Sequence, residues 1–299
     1  MRNRTRHLLT CIALVALGTS AQAAVVFSLA SDGSTLIRFD SSTPGVVTTI
    51  GALSGAVTTL DGLDFRVADR GLYGYQAASS GIYLVNPGTG ATTLVSTSSS
   101  PVTTALMGID FNPTVDRLRV VSANDENRRI NVATGVALTD GALSYAVGDV
   151  NFGANPNVRD AAYTNNDLNP ATATMLFYID HVLNTLVRTA NPNAGVLNTV
   201  GALGVDTEAF FGFDILTDLG GVNTAYASLR VGGIDGLYTV DLATGAATLI
   251  GAIGASQLDG LAVQLVPEPA SGALLGIAGL AVFASRRRIN PVLSQASAS

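Results

Sequence analysis

Three aspartates recur at the same place in a repeated four-residue pattern, Gly-apolar-Asp-apolar. They are Asp64, Asp110 and Asp214. Carboxylates that converge on one place repel one another unless a hard cation lies among them, and carboxylate oxygens are ligands that Ca²⁺ prefers. The pattern therefore makes these three residues a candidate Ca²⁺ site. The alternative is that each aspartate accepts hydrogen bonds from backbone amides and fixes its own repeat.

Other side chains that could take part in catalysis are scarce, and the sequence shows no recognisable combination of nucleophile, base and orienting residue. His181 is the single histidine after the N-terminal segment, and it follows Asp180 in an apparent hairpin. Neighbouring side chains in a strand point to opposite faces, so a turn position accounts for His181 better than a catalytic base does. No Gly-x-Ser-x-Gly pattern occurs, which removes the usual sign of a serine hydrolase.

Two polar segments, 124–127 and 165–169, are rich in Asn and acidic residues. They lack the Asp-x-Asp-x-Asp-Gly spacing of an EF-hand loop. We expect them to be solvated loop tips that could touch a ligand.

Residues 24–265 are acidic and contain no lysine. Six of the 16 basic residues lie outside this range, as does one of the 22 acidic residues, which leaves ten arginines and a net charge of about −11. Nucleic-acid binding rests on basic side chains that neutralise phosphates, so a nucleic-acid partner is not expected. A Gly-x-x-x-x-Gly-Lys phosphate loop is also excluded.

Five short apolar strands open with the same pattern or with a decayed form of it. The openings are 62–65, 108–111, 160–163, 212–215 and 260–263, at spacings of 46, 52, 52 and 48 residues. Repeats of this length made of short strands are typical of a β-propeller with one four-stranded blade per repeat.

A second marker recurs once in each repeat, between the predicted third and fourth strands. It is an Asp or Asn followed by a Gly, in segments 40–45, 86–90, 131–135, 191–195 and 241–245. An Asp or Asn side chain bonds to the backbone two residues on, and the Gly supplies a positive φ, so each segment predicts a hairpin turn.

The order of the markers predicts how the ring closes. The first turn precedes any opening strand, whereas the last opening strand, 258–265, has no turn after it. The C-terminal strand is therefore expected to complete the blade begun by residues 25–53, which removes exposed sheet edges. We predict an all-β chain with one five-bladed propeller. A β-helix or a two-sheet sandwich is the alternative.

The N-terminus predicts a signal peptide over residues 1–23. Three arginines precede an apolar stretch from Leu8 to Leu17, and Ala21 and Ala23 form a small-x-small cleavage site. The mature chain is expected to begin at Ala24. Cys11 is then removed, which excludes disulfides and cysteine-ligated metals from the mature protein.

The C-terminal segment 266–288 combines three features. Pro267, Glu268 and Pro269 precede an apolar stretch, 270–285, which is predicted to form a membrane helix, and Arg286, Arg287 and Arg288 follow it. Residues 289–299 form a short tail.

This order resembles the PEP-CTERM sorting tail of Gram-negative bacteria. The resemblance implies recognition by an exosortase, a membrane cysteine protease or transpeptidase, in bacteria that build an extracellular polysaccharide matrix. Glu268 and its flanking prolines would be substrate. A plain single-span anchor is the alternative.

Two further stretches, 108–122 and 161–166, resemble a bacterial family known only as a domain of unknown function. The resemblance spans almost all of residues 27–265. It implies the propeller fold and an exported setting, and it carries over no activity or site residue.

Two functions from different classes follow. The first is an exported, surface- or matrix-associated, non-enzymatic protein that binds polysaccharide or another envelope component through loops on one propeller face. The second is a calcium-assisted hydrolase or lactonase. A purely structural role is the remaining alternative. The membrane is an expected partner through the C-terminal helix until that helix is processed.

Overall fold

The computed structural model describes residues 23–265 except 31–32, 168, 170 and 257. Regular structure in this part is β-structure, apart from a 3₁₀ turn at Pro192–Ala194. No helix within these residues is long and apolar enough to cross a membrane. Most of the predicted signal peptide, with Ala21, and all of segment 266–299, with its prolines, Glu268 and arginines, lie outside the described residues.

The described residues form 22 strands in five sheets, one per blade. From the innermost strand outwards, blade 1 consists of β22 (Leu258–Leu265), β1 (Ala24–Ala30), β2 (Thr35–Asp40) and β3 (Val47–Ala52). Blade 2 consists of β5 (Gly62–Phe65), β6 (Leu72–Gln76), β7 (Gly81–Val85) and β8 (Ala91–Thr97). Blade 3 consists of β9 (Met107–Asn112), β10 (Arg117–Ser122), β11 (Asn127–Ile130) and β12 (Ala137–Thr139).

Blade 4 consists of β14 (Val158–Tyr163), β15 (Leu176–Asp180), β16 (Thr185–Thr189) and β17 (Val196–Ala202). Blade 5 consists of β18 (Ala209–Thr217), β19 (Asn223–Val231), β20 (Ile234–Val240) and β21 (Ala247–Ala252). Two short strands, β4 (Ser54–Gly55) and β13 (Ser144–Tyr145), pair in parallel with the outer strands β8 and β17. Within each blade, consecutive strands are antiparallel.

Blade 1 closes the ring with strands from both ends of the chain, as predicted. β1 pairs with β22 in antiparallel register, with Ala24 opposite Leu265 and Phe27 opposite Ala262. Each innermost strand also neighbours the innermost strands of the two adjacent blades. The five-bladed propeller is confirmed, and the β-helix and sandwich alternatives are wrong.

The predicted hairpin turns lie between the third and fourth strands of every blade. Asn86 Oδ1 accepts the amide of Gly88, and Gly90 has a φ of 74°. Asp241 Oδ1 accepts the amide of Ala243, and Gly245 has a φ of 85°. The side chain thus folds the turn locally, while the glycine takes the left-handed conformation that other residues avoid.

The core is divided among the junctions between blades. Within the described residues there are five apolar clusters, and each lies between two neighbouring blades. Leu118 and Val120 of β10, for example, are fully buried with Tyr75 of blade 2. Since burying one large apolar side chain stabilises a fold by about 1.5–3 kcal/mol, each junction contributes directly to closure of the ring.

Candidate functional site

The five innermost strands run in the same direction along the central channel and end at one face of the propeller. We call this the exit face. It contains the end of β22 at Leu265 and the loops 66–71, 113–116, 164–175 and 218–222. Asp64, Asp110 and Asp214 lie in innermost strands, within three residues of where those strands end.

The three predicted aspartates converge. One carboxylate oxygen from each lies within 4.8 Å of the others. The side chains are almost fully buried, with 6% of Asp64, 5% of Asp110 and 2% of Asp214 exposed. The repeat therefore brings together three side chains that are far apart in the sequence.

The same carboxylates also connect neighbouring blades. Asp64 accepts the amide of Phe65 in its own blade at 2.6 Å and that of Phe111 in blade 3 at 2.7 Å. Asp214 repeats this arrangement with the amides of Ile215 and Val263, both at 2.6 Å. The expectation that each aspartate fixes its own repeat is thus incomplete, because the second oxygen bonds to the next blade.

A fourth buried carboxylate belongs to Asp160 of β14. It occupies the glycine position of the repeated pattern, and Ala162 occupies the aspartate position. Asp160 accepts the amides of Ala161 at 2.9 Å and Phe213 at 2.8 Å, so it joins blades 4 and 5 as the other aspartates join theirs. Its place on the strand is shifted by two residues, or about 6.6 Å, from the other three.

Gly108 makes room for this shifted side chain. Gly62, Gly108, Gly212 and Gly260 take the same position in the other blades. A Cβ atom on Gly108 would lie 2.3 Å from Asp160 Cα and from Asp160 Oδ1. In blade 4 the aspartate has therefore moved to the glycine position of the pattern. The sequence had suggested only that the pattern was lost there.

Burial raises the pKa of all four carboxyl groups. Loss of hydration is the largest cause in each case, and neighbouring carboxylates also raise the pKa values of Asp64, Asp110 and Asp160. The pKa of Asp214 rises from 3.8 to about 6. Backbone amides oppose these shifts, but the charged groups that act on the cluster are its own members. The cluster is therefore suited to hold protons or a cation.

The spacing fits a calcium ion. Ca²⁺ binds oxygen at about 2.3–2.6 Å, so two ligands of one ion are at most about 5 Å apart. Asp64, Asp110 and Asp214 satisfy this condition with one oxygen each. The arrangement can neutralise a hard cation and hold the innermost strands together.

His181 lies in a turn, as the sequence indicated. Its Nδ1 is 3.0 Å from the carbonyl oxygen of Asn157. Asp180 does not orient the imidazole, since its carboxylate accepts the amides of Val182 and Leu183 and the hydroxyl of Tyr145. The pair folds the turn and docks it on the rest of blade 4.

The expectation that 165–169 is a solvated loop tip is wrong for its first two residues. Asn166 donates to the carbonyl of Ile215 at 2.7 Å and accepts the amide of Thr217 at 2.9 Å. Asn165 exchanges hydrogen bonds with Asn223. The loop clasps blade 5, because amide side chains can satisfy the backbone groups left free at the end of a strand.

Sequence reasoning missed a buried ionic network between blades 3 and 4. Arg119, which is 2% exposed, donates to Asp140 at 2.6 Å, to Asn127 at 2.7 Å and to Asn193 at 3.0 Å. Its Nε also donates to the hydroxyl of Tyr163 at 3.2 Å. Arg119 lies in the first of the two stretches on which the family resemblance rests, 108–122, but Arg117 two residues earlier is only partly buried, so spacing alone does not identify Arg119.

Two clefts open at the exit-face ends of the blades; both contain polar side chains, and the surface of the smaller one is mainly apolar. The smaller has a volume of about 240 Å³, and residues that line it include Asn112, Thr114, Asp116 and Asp167. The larger has about 470 Å³ and lies at the end of blade 5, between the start of β19 and the turn at Asp241. Hydroxyl, amide and carboxylate groups in these clefts could hydrogen-bond a polar ligand.

Two family matches cover most of the chain. Residues 35–262 match the family described as Domain of unknown function (DUF4394). Residues 265–288 match the PEP-CTERM protein-sorting motif. No curated protein matches the chain.

Several solved structures are similar in shape and distant in sequence. A chain of the nidogen/laminin complex is 10% identical, with 81% of this chain and 98% of that chain covered and a TM-score of 0.48. A putative 6-phosphogluconolactonase from Bacteroides uniformis is 13% identical, with coverages of 78% and 83% and a TM-score of 0.43. A protein of unknown function from Bacteroides thetaiotaomicron is 17% identical, with coverages of 77% and 58% and a TM-score of 0.42.

Proposed function

The chain belongs to the family described as Domain of unknown function (DUF4394), and we propose that it is a non-enzymatic binding protein of the cell surface or extracellular matrix, with polysaccharide as its ligand. Its PEP-CTERM motif marks it as an exported protein that is recognised by an exosortase. The proposal concerns what the protein does once it has been exported.

The observation that carries the proposal is the pair of clefts on the exit face, in which polar and apolar groups lie side by side. The smaller cleft, at about 240 Å³, is below the range of about 300–1,000 Å³ that is usual for drug-sized ligands, and it suits a unit of the size of one sugar ring. Thr114, Asn112 and Asp167 offer donors and acceptors there, and Phe111 and Pro113 offer apolar surface. This mixture is the one that sugar rings require.

The central carboxylates favour a structural role over catalysis. At 2–6% exposure, Asp64, Asp110 and Asp214 have little contact with solvent, and their oxygens already accept backbone amides. A calcium-assisted hydrolase would need a carboxylate that reaches its substrate. We propose instead that Ca²⁺ bound by these three residues would neutralise their charge and stabilise the ring.

The test is binding of the purified protein to extracellular polysaccharide of the source organism, in calcium and then in chelator. Saturable binding is expected, and Thr114→Ala is expected to weaken it by removing a hydroxyl from the smaller cleft. Thr93→Ala is the matched control, since Thr93 is exposed on the outer strand β8 of blade 2, away from both clefts. Absence of binding in both conditions would overturn the proposed ligand.

A second experiment tests attachment. Removal of residues 267–288 is expected to send the protein into the medium, because the sorting motif lies there. Retention of the truncated protein at the cell surface would show that the propeller itself provides attachment.

A further inference from the structure

The position of Leu265 determines which face of the propeller lies nearest the membrane while the C-terminal tail is attached. β22 is an innermost strand, so the chain leaves the propeller beside the central channel, at the middle of the exit face. Loops of the other four blades surround this point. Both clefts open on the same face.

The link between this point and the predicted membrane segment is short. Four residues, 266–269, separate Leu265 from the apolar stretch that begins at Ala270. The five steps from Leu265 to Ala270 span at most about 18 Å even when the chain is fully extended. The centre of the exit face can therefore move no farther than this from the bilayer while residues 270–285 are embedded.

Exposed apolar side chains occur on both faces, with Val182 and Ile234 on the opposite one, so the tether sets the orientation and the apolar loop tips of the exit face only permit contact with lipid. In the loop between β18 and β19, Leu219 is 89% exposed and Val222 is 60% exposed. Val115, in the loop between β9 and β10, is 54% exposed. Burying such side chains at an interface is favourable, in proportion to the apolar area removed from water.

From the exit point, the short tether and these loop tips, we infer that the exit face lies against the bilayer in the tail-anchored protein, and that removal of the tail uncovers its clefts. The second part rests on the proposed function, because it assigns polysaccharide to those clefts. A polymer would have to enter the narrow gap between the cleft and the bilayer, and this confinement disfavours its binding. Processing of the sorting motif would then both release the protein and switch on binding.

Orientation can be measured without the polysaccharide. The full chain has one cysteine, Cys11, so Cys11→Ser followed by Leu219→Cys or Val182→Cys gives single labelling sites on opposite faces. Both side chains are well exposed, at 89% for Leu219 and 61% for Val182. With the full chain in vesicles that contain a headgroup quencher, quenching of a fluorophore is expected to be several-fold stronger at position 219. Equal quenching, or stronger quenching at 182, would overturn the orientation.

Coverage of the clefts is measured with the full chain in detergent, in vesicles, and in vesicles after insertion of a linker between Leu265 and Val266. A linker of about 20 Gly/Ser residues has a root-mean-square reach of about 25 Å. Binding of extracellular polysaccharide is expected in detergent, with a several-fold loss in vesicles that the linker reverses. Absence of binding in detergent would overturn the proposed function. The orientation would then be judged by the quenching experiment alone. Equal binding in detergent and vesicles would overturn coverage alone.

Discussion

Two regions of this propeller bury charge in opposite ways. Between blades 3 and 4, the guanidinium of Arg119 faces the carboxylate of Asp140, and amide side chains complete the network. In the central channel, Asp64, Asp110 and Asp214 face one another and backbone amides, and Asp160 lies farther along the channel. The first region contains its own counter-charge, whereas the second depends on protons or a cation from solution.

The difference separates a fixed contribution to stability from one that responds to conditions. A buried ion pair keeps its interaction across the whole range in which both partners are charged, since little solvent screens it. Carboxylates that repel one another change their interaction whenever pH or cation concentration changes. We therefore expect the first region to stabilise the fold under all these conditions. The second region should make the stability depend on the pH and the cation concentration outside the cell.

The largest effect is expected for Arg119→Ala. The change breaks the buried ion pair with Asp140, whose carboxylate keeps its contact with Arg129, and it removes the donor that serves two buried amide side chains. Breaking a buried pair in this way costs about 3–5 kcal/mol. Denaturant unfolding measures the loss. Arg117→Ala is the matched control, because Arg117 lies two residues away and bonds only to nearby backbone carbonyls. Equal losses for the two variants would remove the distinction between the regions.

The next effect is a dependence of stability on pH. Burial raises the pKa of Asp214 from 3.8 to about 6, so the folded protein binds more protons than the unfolded chain between these values. The free energy of unfolding must then fall as pH rises through this window, by about 3 kcal/mol for a shift of two pKa units. Asp64, Asp110 and Asp160 act with the same sign. Melting in chelator from about pH 4 to about pH 8 checks this, and a melting temperature independent of pH would contradict it.

Calcium is expected to restore the free energy of unfolding that is lost as pH rises, because Ca²⁺ replaces the protons as the positive charge among the carboxylates. Asp110→Ala should abolish the calcium-dependent rise in melting temperature. Asp149→Ala is the control, since Asp149 bonds to Thr199 on the outer strand of blade 4 and lies outside the cluster. If the wild-type protein melts at the same temperature in calcium and in chelator, the cluster holds protons only.

The two regions also differ in how far the sequence reveals them. Spacing of the openings predicted the blades, and with them the convergence of Asp64, Asp110 and Asp214, because local turn chemistry and strand alternation repeat five times. The shift of Asp160 depends on the space that Gly108 leaves in blade 3, so it emerges only from packing. Arg119 depends on contacts with residues 127, 140 and 193, which no local pattern connects.

A smaller effect is expected where neutral groups join two blades. Asn166→Ala removes two hydrogen bonds from the clasp between blades 4 and 5, which should cost about 1–3 kcal/mol. The loss should be the same in calcium and in chelator, since no ionisable group takes part. Asn169→Ala in the same loop is the control, because its side chain only accepts the exposed amide of Ala171. A loss that depends on calcium would connect the clasp to the channel.

The smallest effect is expected for His181→Ala. The imidazole contributes one contact, with the carbonyl of Asn157, while Asp180 fixes the turn through the amides of Val182 and Leu183. Burial lowers the pKa of His181, which keeps the ring neutral near pH 7 and gives it no part in either charged region. The free energy of unfolding should change by about 0.5–1 kcal/mol, and polysaccharide binding should not change. Loss of a hydrolytic activity on that polysaccharide in this variant would make His181 a catalytic base and return the protein to the class of enzymes.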